Sequence, residues 1–455
     1  MRVSGLLQRS GLEAPLHPAH AFDDVAAPWT TAPANAPGVR SFARTAIHFA
    51  RGAVFFSLTV LDRFGITSGS TAVDAALFAL YFFLAVGLLF DGLALSTTRV
   101  QIFAAVVAAA VTSWWLNRSG GAGPSTLSLL LFLAMYAPFV FTIRPDVDDP
   151  DDGTAPATQF LAFALLCAVA GILQFYLQFV IHASWLFDFT PAIPPSLRCT
   201  TGFNTVISAG RFVKSNGFFL REPSGFSFMM ALAFVMEWSL RRRLLWLACF
   251  GMGLLLSYSG TGLLTIAIAL LVPFDRRAIL RLVGAACAAT VVFLVVGEAL
   301  NLTFTVDRLN EFGSERSSAY IRYVAPFRLV SDTFNDAAWT PFFGHGPGSI
   351  KHLLLAYRSH DPTWAKLVFE YGLVGFVSLC ALYLVVLHHP GVPLRWRVVL
   401  FISWLVMGGH LLSPDANALR LCIVGFLPPL LRGRTEALRK EGPGVATPRP
   451  LRGSS

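Results

Sequence analysis

The chain is 455 residues long, 55% hydrophobic and 13% charged, with a mean hydropathy of +0.61. A soluble fold of this size would carry about a quarter charged residues, so that class is excluded and a polytopic, all-α integral membrane protein is expected. The formal charge of +9, from 35 Lys and Arg against 26 Asp and Glu, reads as the cationic excess of cytoplasmic loops and not as a nucleic-acid surface.

Residues 1–44 are rich in Pro and Ala and carry Arg2, Arg9, Arg40 and Arg44 without a long apolar run. They read as a disordered cytoplasmic arm, with nothing like a cleavable signal peptide. The next segment, 46–66, is the weakest span because Arg51, Asp62 and Arg63 shorten its uncharged centre, and an interfacial helix fits it nearly as well. Spans are then expected at 71–94, 100–116, 125–143 and 159–181. Asp74 and Asp91 fall near the ends of the first of these and read as interfacial. Between the third and fourth, the acidic turn 144–156 reads as solvated, since Pro145 and Pro150 break any regular ligand spacing.

A loop at 182–222 follows, then spans at 224–240, 244–258, 260–274 and 279–299. Arg241, Arg242 and Arg243 and the arginines of 275–281 place those short turns in the cytoplasm, which puts 182–222, Ser259-Gly260-Thr261 and the long insert 301–366 on the opposite face. The last spans lie at 367–388, 398–413 and 417–431, and a basic tail, 432–455, ends the chain. If 46–66 spans, the count is twelve and both termini are cytoplasmic. The transmembrane domain is then 45–431, with 182–222 and 301–366 as its two outer loops. Five of the six cysteines lie in apolar runs and only Cys199 sits in a loop, so no disulfide framework or metal-ligand spacing follows.

The insert 301–366 is longer than a loop without a function usually is. Arg211, Lys214 and Arg221 lie on the same face, just before a helix. Arginines there suit a diphosphate, because a guanidinium offers planar paired donors to phosphate oxygens and stays charged when partly desolvated; lipid headgroups or surface pairs would use them equally well. Glu222-Pro223-Ser224 opens the following helix, where a carboxylate meets the positive end of the dipole. The stretch FGHGPGSI (343–350), with His345, has glycines spaced to bring amides near a ligand, although a plain turn explains them too. His360, just before Asp361 and Pro362, could take a proton from an attacking hydroxyl or orient a sugar; simple solvation is the plainer reading.

The ordered pieces REPSGFSFMMAL, LLLSYSGTGLLTI, RLNEFGSERSSAYIRY, PFFGHGPGSI and HDPTWAKLVFEYGLVGF cover about 205–380. Together they resemble the bacterial O-antigen ligase and polymerase superfamily, and within it the exopolysaccharide repeat-unit polymerases. That resemblance implies a GT-C-like glycosyltransferase of the bacterial inner membrane, acting at the periplasmic face without a nucleotide sugar, metal or other cofactor. Its substrate would be a glycan on undecaprenyl diphosphate, joined to an acceptor hydroxyl with inversion. The bilayer and a chain-length regulator would be its partners. By position, Arg211 and Arg322 match the arginines that hold the donor diphosphate, and His360 matches the loop histidine acting on the acceptor hydroxyl. Lys214, Arg221, Glu222, Arg316 and His345 complete the expected substrate set. Two departures stand out: Ser259-Gly260-Thr261 replaces a Ser-Arg-Gly turn, so Arg221 or Arg316 would have to substitute for the arginine, and His360-Asp361 replaces His-Asn. A ligase acting on a lipid A core is the nearest alternative. A flippase for lipid-linked sugars is the alternative from another class, although no internal repeat of the kind transporters show is visible.

Overall fold

The computed structural model describes residues 37–68, 71–119, 123–145, 154–199, 206–209, 212–297 and 318–428. The arm before Pro37, the tail after residue 428, and both Arg211 and Arg316 lie outside the described residues. What is described is mostly helical. In chain order the long helices are α1 (Pro37–Thr59), α2 (Ala75–Leu89), α3 (Thr97–Asn117), α4 (Thr126–Tyr136), α5 (Ala155–Leu177), α6 (Pro223–Leu240), α7 (Leu244–Leu256), α8 (Gly260–Leu271) and α9 (Arg276–Val296). Four short helices follow, α10 (Ser318–Tyr323), α11 (Ala325–Thr333), α12 (Thr340–Phe343) and α13 (Lys351–Tyr357). The chain closes with α14 (Thr363–Leu387), α15 (Leu394–Val406) and α16 (Pro414–Arg420), the last running into a π-helical turn, Leu421–Gly425.

Helix occurs in each of the twelve segments expected to span. Four helices, α3, α5, α9 and α14, are long and apolar enough to cross a membrane by length and composition, and several shorter apolar helices stand beside them. At 25 residues α14 is the longest of them, and it is kinked at Gly372. Large apolar side chains face outward along α9, including Ile279, Leu280, Leu294 and Val295. Such a surface is unfavourable in water and suits lipid.

The ends of these helices follow local rules. The Asp275 side chain accepts a hydrogen bond from the Ala278 amide and caps α9. Ser125 does the same for α4 through the amide of Ser128, and proline in the first turn starts α6 and α16. The core is continuous, running from Ile47, Val54 and Phe55 of α1 through Phe160 of α5, Met230 of α6 and Tyr371 of α14 to Trp396 and Trp404 of α15.

Three differences from the sequence expectation have clear causes. Helix α1 begins at Pro37, inside the segment read as an arm, and ends at Thr59. Asp62 and Arg63 therefore lie beyond the helix, while Arg51 is fully buried, its Nε donating to Gln159 of α5 at 2.9 Å. The charges that weakened this segment as a span are thus paired inside the bundle or placed past the helix end. The connections also carry three small antiparallel ribbons, β1–β2 (Gly65–Ser68 with Thr71–Asp74), β3–β4 (Leu93–Leu95 with Phe141–Ile143) and β5–β6 (Ser208–Ala209 with Phe212–Val213). Finally, the described part of the insert 301–366 is filled by α10 to α13, so its length is that of a folded cap and not of an extended loop.

Candidate active site

The starts of α6, α8 and α14 meet at one end of the bundle. Ser227 in the first turns of α6 donates to the Ser259 carbonyl and accepts from the Gly262 amide, tying α6 to α8. The Thr363 amide at the start of α14 donates to the Gly408 carbonyl at 3.2 Å, which adds the connection after α15. The basic turns 241–243, 275–281 and 388–397 lie at the other ends of these helices.

Two buried arginines organise the connections here. Arg63, 1% exposed, donates to Asp188, Thr190 and the carbonyls of Phe187, Phe219 and Leu220, pinning the 182–222 loop to the end of α1. Arg221 is held by three carboxylates, Asp62 at 3.0 Å, Asp74 at 3.2 Å and Asp415 at 3.4 Å, and by the Cys199 sulfur at 3.2 Å. Its amide also donates to Asp62. Three negative charges around one cation leave an excess in a buried place. Burial therefore raises the Asp62 carboxyl despite Arg221, with Asp415 adding to the rise. It raises Asp74 to about 6 in the same way. Both residues lie in the 60–74 connection between α1 and α2.

Two consequences can be measured. Arg221→Leu should cost about 3–5 kcal/mol of stability, because it strands three buried carboxylates; a melting temperature within a degree or two of wild type would contradict the assignment. Because the folded Asp74 binds its proton more tightly than the unfolded chain does, its protonation stabilises at low pH. That contribution is lost as pH rises from the ordinary 3.8 through about 6. Asp74→Asn should remove this part of the pH dependence.

Beside this clamp stands a second group, drawn from three elements. Glu222 precedes α6 in an extended conformation, and its side chain makes no capping bond to the helix amides. Instead it accepts from the Ser224 hydroxyl. Arg322 lies in α10, half-buried, and among the described residues no hydrogen bond or salt bridge engages its guanidinium. His360 is locked against α10 by its amide, which donates to the Ile321 carbonyl at 3.1 Å. The imidazole keeps access to solvent, yet the protein packed around it, followed by Arg322, lowers its pKa from the usual 6.5, while Asp361 and Glu222 pull it back up. Arg322 and Glu222 are thus each close enough to act on the charge of His360. Arg322 also acts on His410, in the connection after α15.

The neighbour of His360 is fixed from below. Burial would raise the Asp361 carboxyl, but Lys366, in the first turn and a half of α14, donates to it at 2.8 Å and holds it below the ordinary value. The carboxylate of Glu370, one turn further along and fully buried, faces the same Lys366. The row Asp361–Lys366–Glu370 therefore ties the His360 segment to the membrane helix. Asp361→Asn and Lys366→Met should each destabilise, and in a double-mutant cycle the pair should show a coupling of about 0.5–3 kcal/mol. Strict additivity of the two melting shifts would show that the pair contributes nothing.

The remaining expected residues lie elsewhere. Lys214 is buried, and its Nζ donates to the Tyr258 carbonyl at 3.3 Å, before the Ser259-Gly260-Thr261 turn. His345 stacks on Phe369 with ring centroids 4.3 Å apart and uses both ring nitrogens on the Phe369 carbonyl and Asp336. The amides of His345 and Gly346 donate to the carbonyls of Phe369 and Glu370. Backbone of this stretch is thereby committed to α14, where Gly372 takes a positive φ of 64° and breaks the helix. Gly344 seats this turn against the kink, while Gly346 and Gly348 lie against the start of α4.

The sequence pattern of the WcaD colanic acid polymerase family matches this chain over residues 54–425. The chain belongs to that family. Its apolar helices and family together identify a membrane polysaccharide polymerase. Among curated proteins, none matches the chain. The match to the WcaD family spans residues 182–222 and 301–366 and every residue of the two groups described above. Residue chemistry alone missed the Arg221 clamp, because Asp62 and Asp74 sit near the helix ends of one connection and Asp415 at a helix start far from them in sequence, places where an acid usually meets water. The one available sign was Lys366, a cation just inside a span, which needs a partner such as Asp361.

Proposed function

We propose that this chain joins lipid-diphosphate-linked oligosaccharide repeat units into an exopolysaccharide, as an inverting, metal-independent glycosyltransferase of the bacterial inner membrane. The observation that carries the proposal is the convergence of His360, Arg322 and Glu222 from three separate elements. In the reaction, an acceptor hydroxyl oxygen attacks the anomeric carbon of the donor and gives its proton to the His360 imidazole. The bond from that carbon to the diphosphate oxygen breaks, and the lipid diphosphate leaves with the electron pair. One displacement inverts the anomeric centre. A histidine whose pKa is held below 6.5 is neutral at physiological pH and so free to accept a proton. Glu222 and Asp361 stabilise the imidazolium as it forms. Arg322, engaged by no hydrogen bond or salt bridge among the described residues, meets the charge growing on the leaving diphosphate. Arg211 serves as the second cation of the donor site. Arg221 is occupied by three carboxylates, so it acts by holding the site together.

The arginine-rich turns at the opposite helix ends support a periplasmic location for the His360 end, since short basic loops stay in the cytoplasm. Alanine at His360, Arg322 or Arg211, one at a time, tests the assignment in cells. Loss of long chains with a single lipid-linked repeat accumulating at the periplasmic face, at unchanged protein level, is the expected result. A repeat trapped at the cytoplasmic face would make the chain a flippase. Unchanged polymer length with loss of glycan from the lipid A core would make it a ligase.

A further inference from the structure

A groove lies at the end of α14 opposite His360, where α8, α14 and α15 come together. Its volume is about 490 Å³, and apolar side chains make most of its wall, among them Leu271, Phe274, Leu384, Leu394, Phe401 and Ile402. Two basic side chains, Arg397 and His388, are the exceptions. They approach each other, Nη1 to Nδ1, at 3.4 Å, while the Nε of Arg397 is buried without any hydrogen-bond partner. Arg395, two residues away, donates to the Val272 carbonyl, and Arg281 lies close enough to act on its charge. Among the described residues neither Arg395 nor Arg397 has a carboxylate partner; the acid at this end, Asp275, is taken by Arg281.

An arginine and a histidine side by side on this wall, with no carboxylate partner among the described residues, are electrostatically unfavourable unless an anion joins them, and the Arg397 N–H left without an acceptor there adds to that cost. The apolar wall next to the cations would suit the chain of the molecule that carries the anion. We propose that this groove binds an anionic phospholipid, with an acyl chain along Leu384, Phe401 and Ile402 and the headgroup phosphate on Arg397 and His388. Basic pockets between membrane helices on the cytoplasmic side bind anionic headgroups in this manner. The lipid would join α8, α14 and α15 at the end remote from the transfer site, and it takes no part in the chemistry there.

The test is the thermal melt of the purified full chain in neutral detergent, with phosphatidylglycerol, phosphatidylcholine of the same chains, or inorganic phosphate added. Phosphatidylglycerol should raise the melting temperature by several degrees, and the other two should leave it in place. The double variant Arg397→Gln with His388→Gln should lose the rise. Leu384→Trp, which fills the groove from its exposed side and leaves the cations intact, should lose it as well, so the test survives if the arginine variant does not fold. An equal rise with phosphatidylcholine, a rise with phosphate alone, or a rise retained in both variants would overturn the proposal.

Discussion

His360→Gln should lower the rate of chain extension by about 10²–10⁴-fold while leaving the fold intact, the range expected when a general base is removed from a transfer reaction. The backbone of His360, not its ring, makes the contact to α10, so glutamine keeps the anchoring bond to Ile321. The pH dependence is more diagnostic than the rate. A base works deprotonated, so wild-type activity should fall as pH drops through a midpoint below 6.5. Glu222 raises the imidazole pKa, and Glu222→Gln should therefore move this acid limb to lower pH. Arg322 lowers it, and whatever activity remains in Arg322→Gln should show the limb moved to higher pH. Acid limbs that stay in place in both variants would mean that His360 is not the titrating group.

Arg322→Gln should cost about 10²–10³ in kcat, the usual effect of removing one preorganised donor from a developing anion. Arg322→Lys should recover part of this, since a point charge replaces a paired donor. Because nothing within the described protein binds the guanidinium, the melting temperature should change little. That combination separates Arg322 from Arg221, whose loss should unfold the connections before any kinetic effect can be read. A large fall in stability with Arg322→Gln would instead make it a structural cation.

Much of the membrane architecture was legible in the chain. The apolar runs gave the helices because each backbone group in lipid must be satisfied within its own segment, so length and hydropathy carry the information. The role of Arg221 was not legible. From the chain it reads as one of three cations before a helix, and only the fold brings Asp62 and Asp74 from the 60–74 connection and Asp415 from the start of α16 to surround it. His345 misleads in the opposite way. A glycine-flanked histidine suggests a ligand loop, but Gly344 serves the close approach of backbone to 369–371, just before the kink at Gly372, and Gly346 and Gly348 lie against Pro124, Ser125 and Ser128 at the start of α4. His360 and Arg322 could be singled out through resemblance, whereas their proximity required the fold of α10 to α13 within the insert. Asp361 in place of asparagine finds its physical reason in Lys366, the buried cation that it pairs with at 2.8 Å.

The account rests on His360 and Arg322 forming one transfer site for a lipid diphosphate donor. Full-length protein in vesicles, supplied with a lipid-diphosphate-linked repeat unit, tests this directly when released lipid diphosphate and new glycosidic bonds are counted together. The account predicts one lipid diphosphate released per bond formed in wild type, with both products lost together in folded His360→Gln and Arg322→Gln. Wild-type rates of bond formation in either folded variant would contradict it.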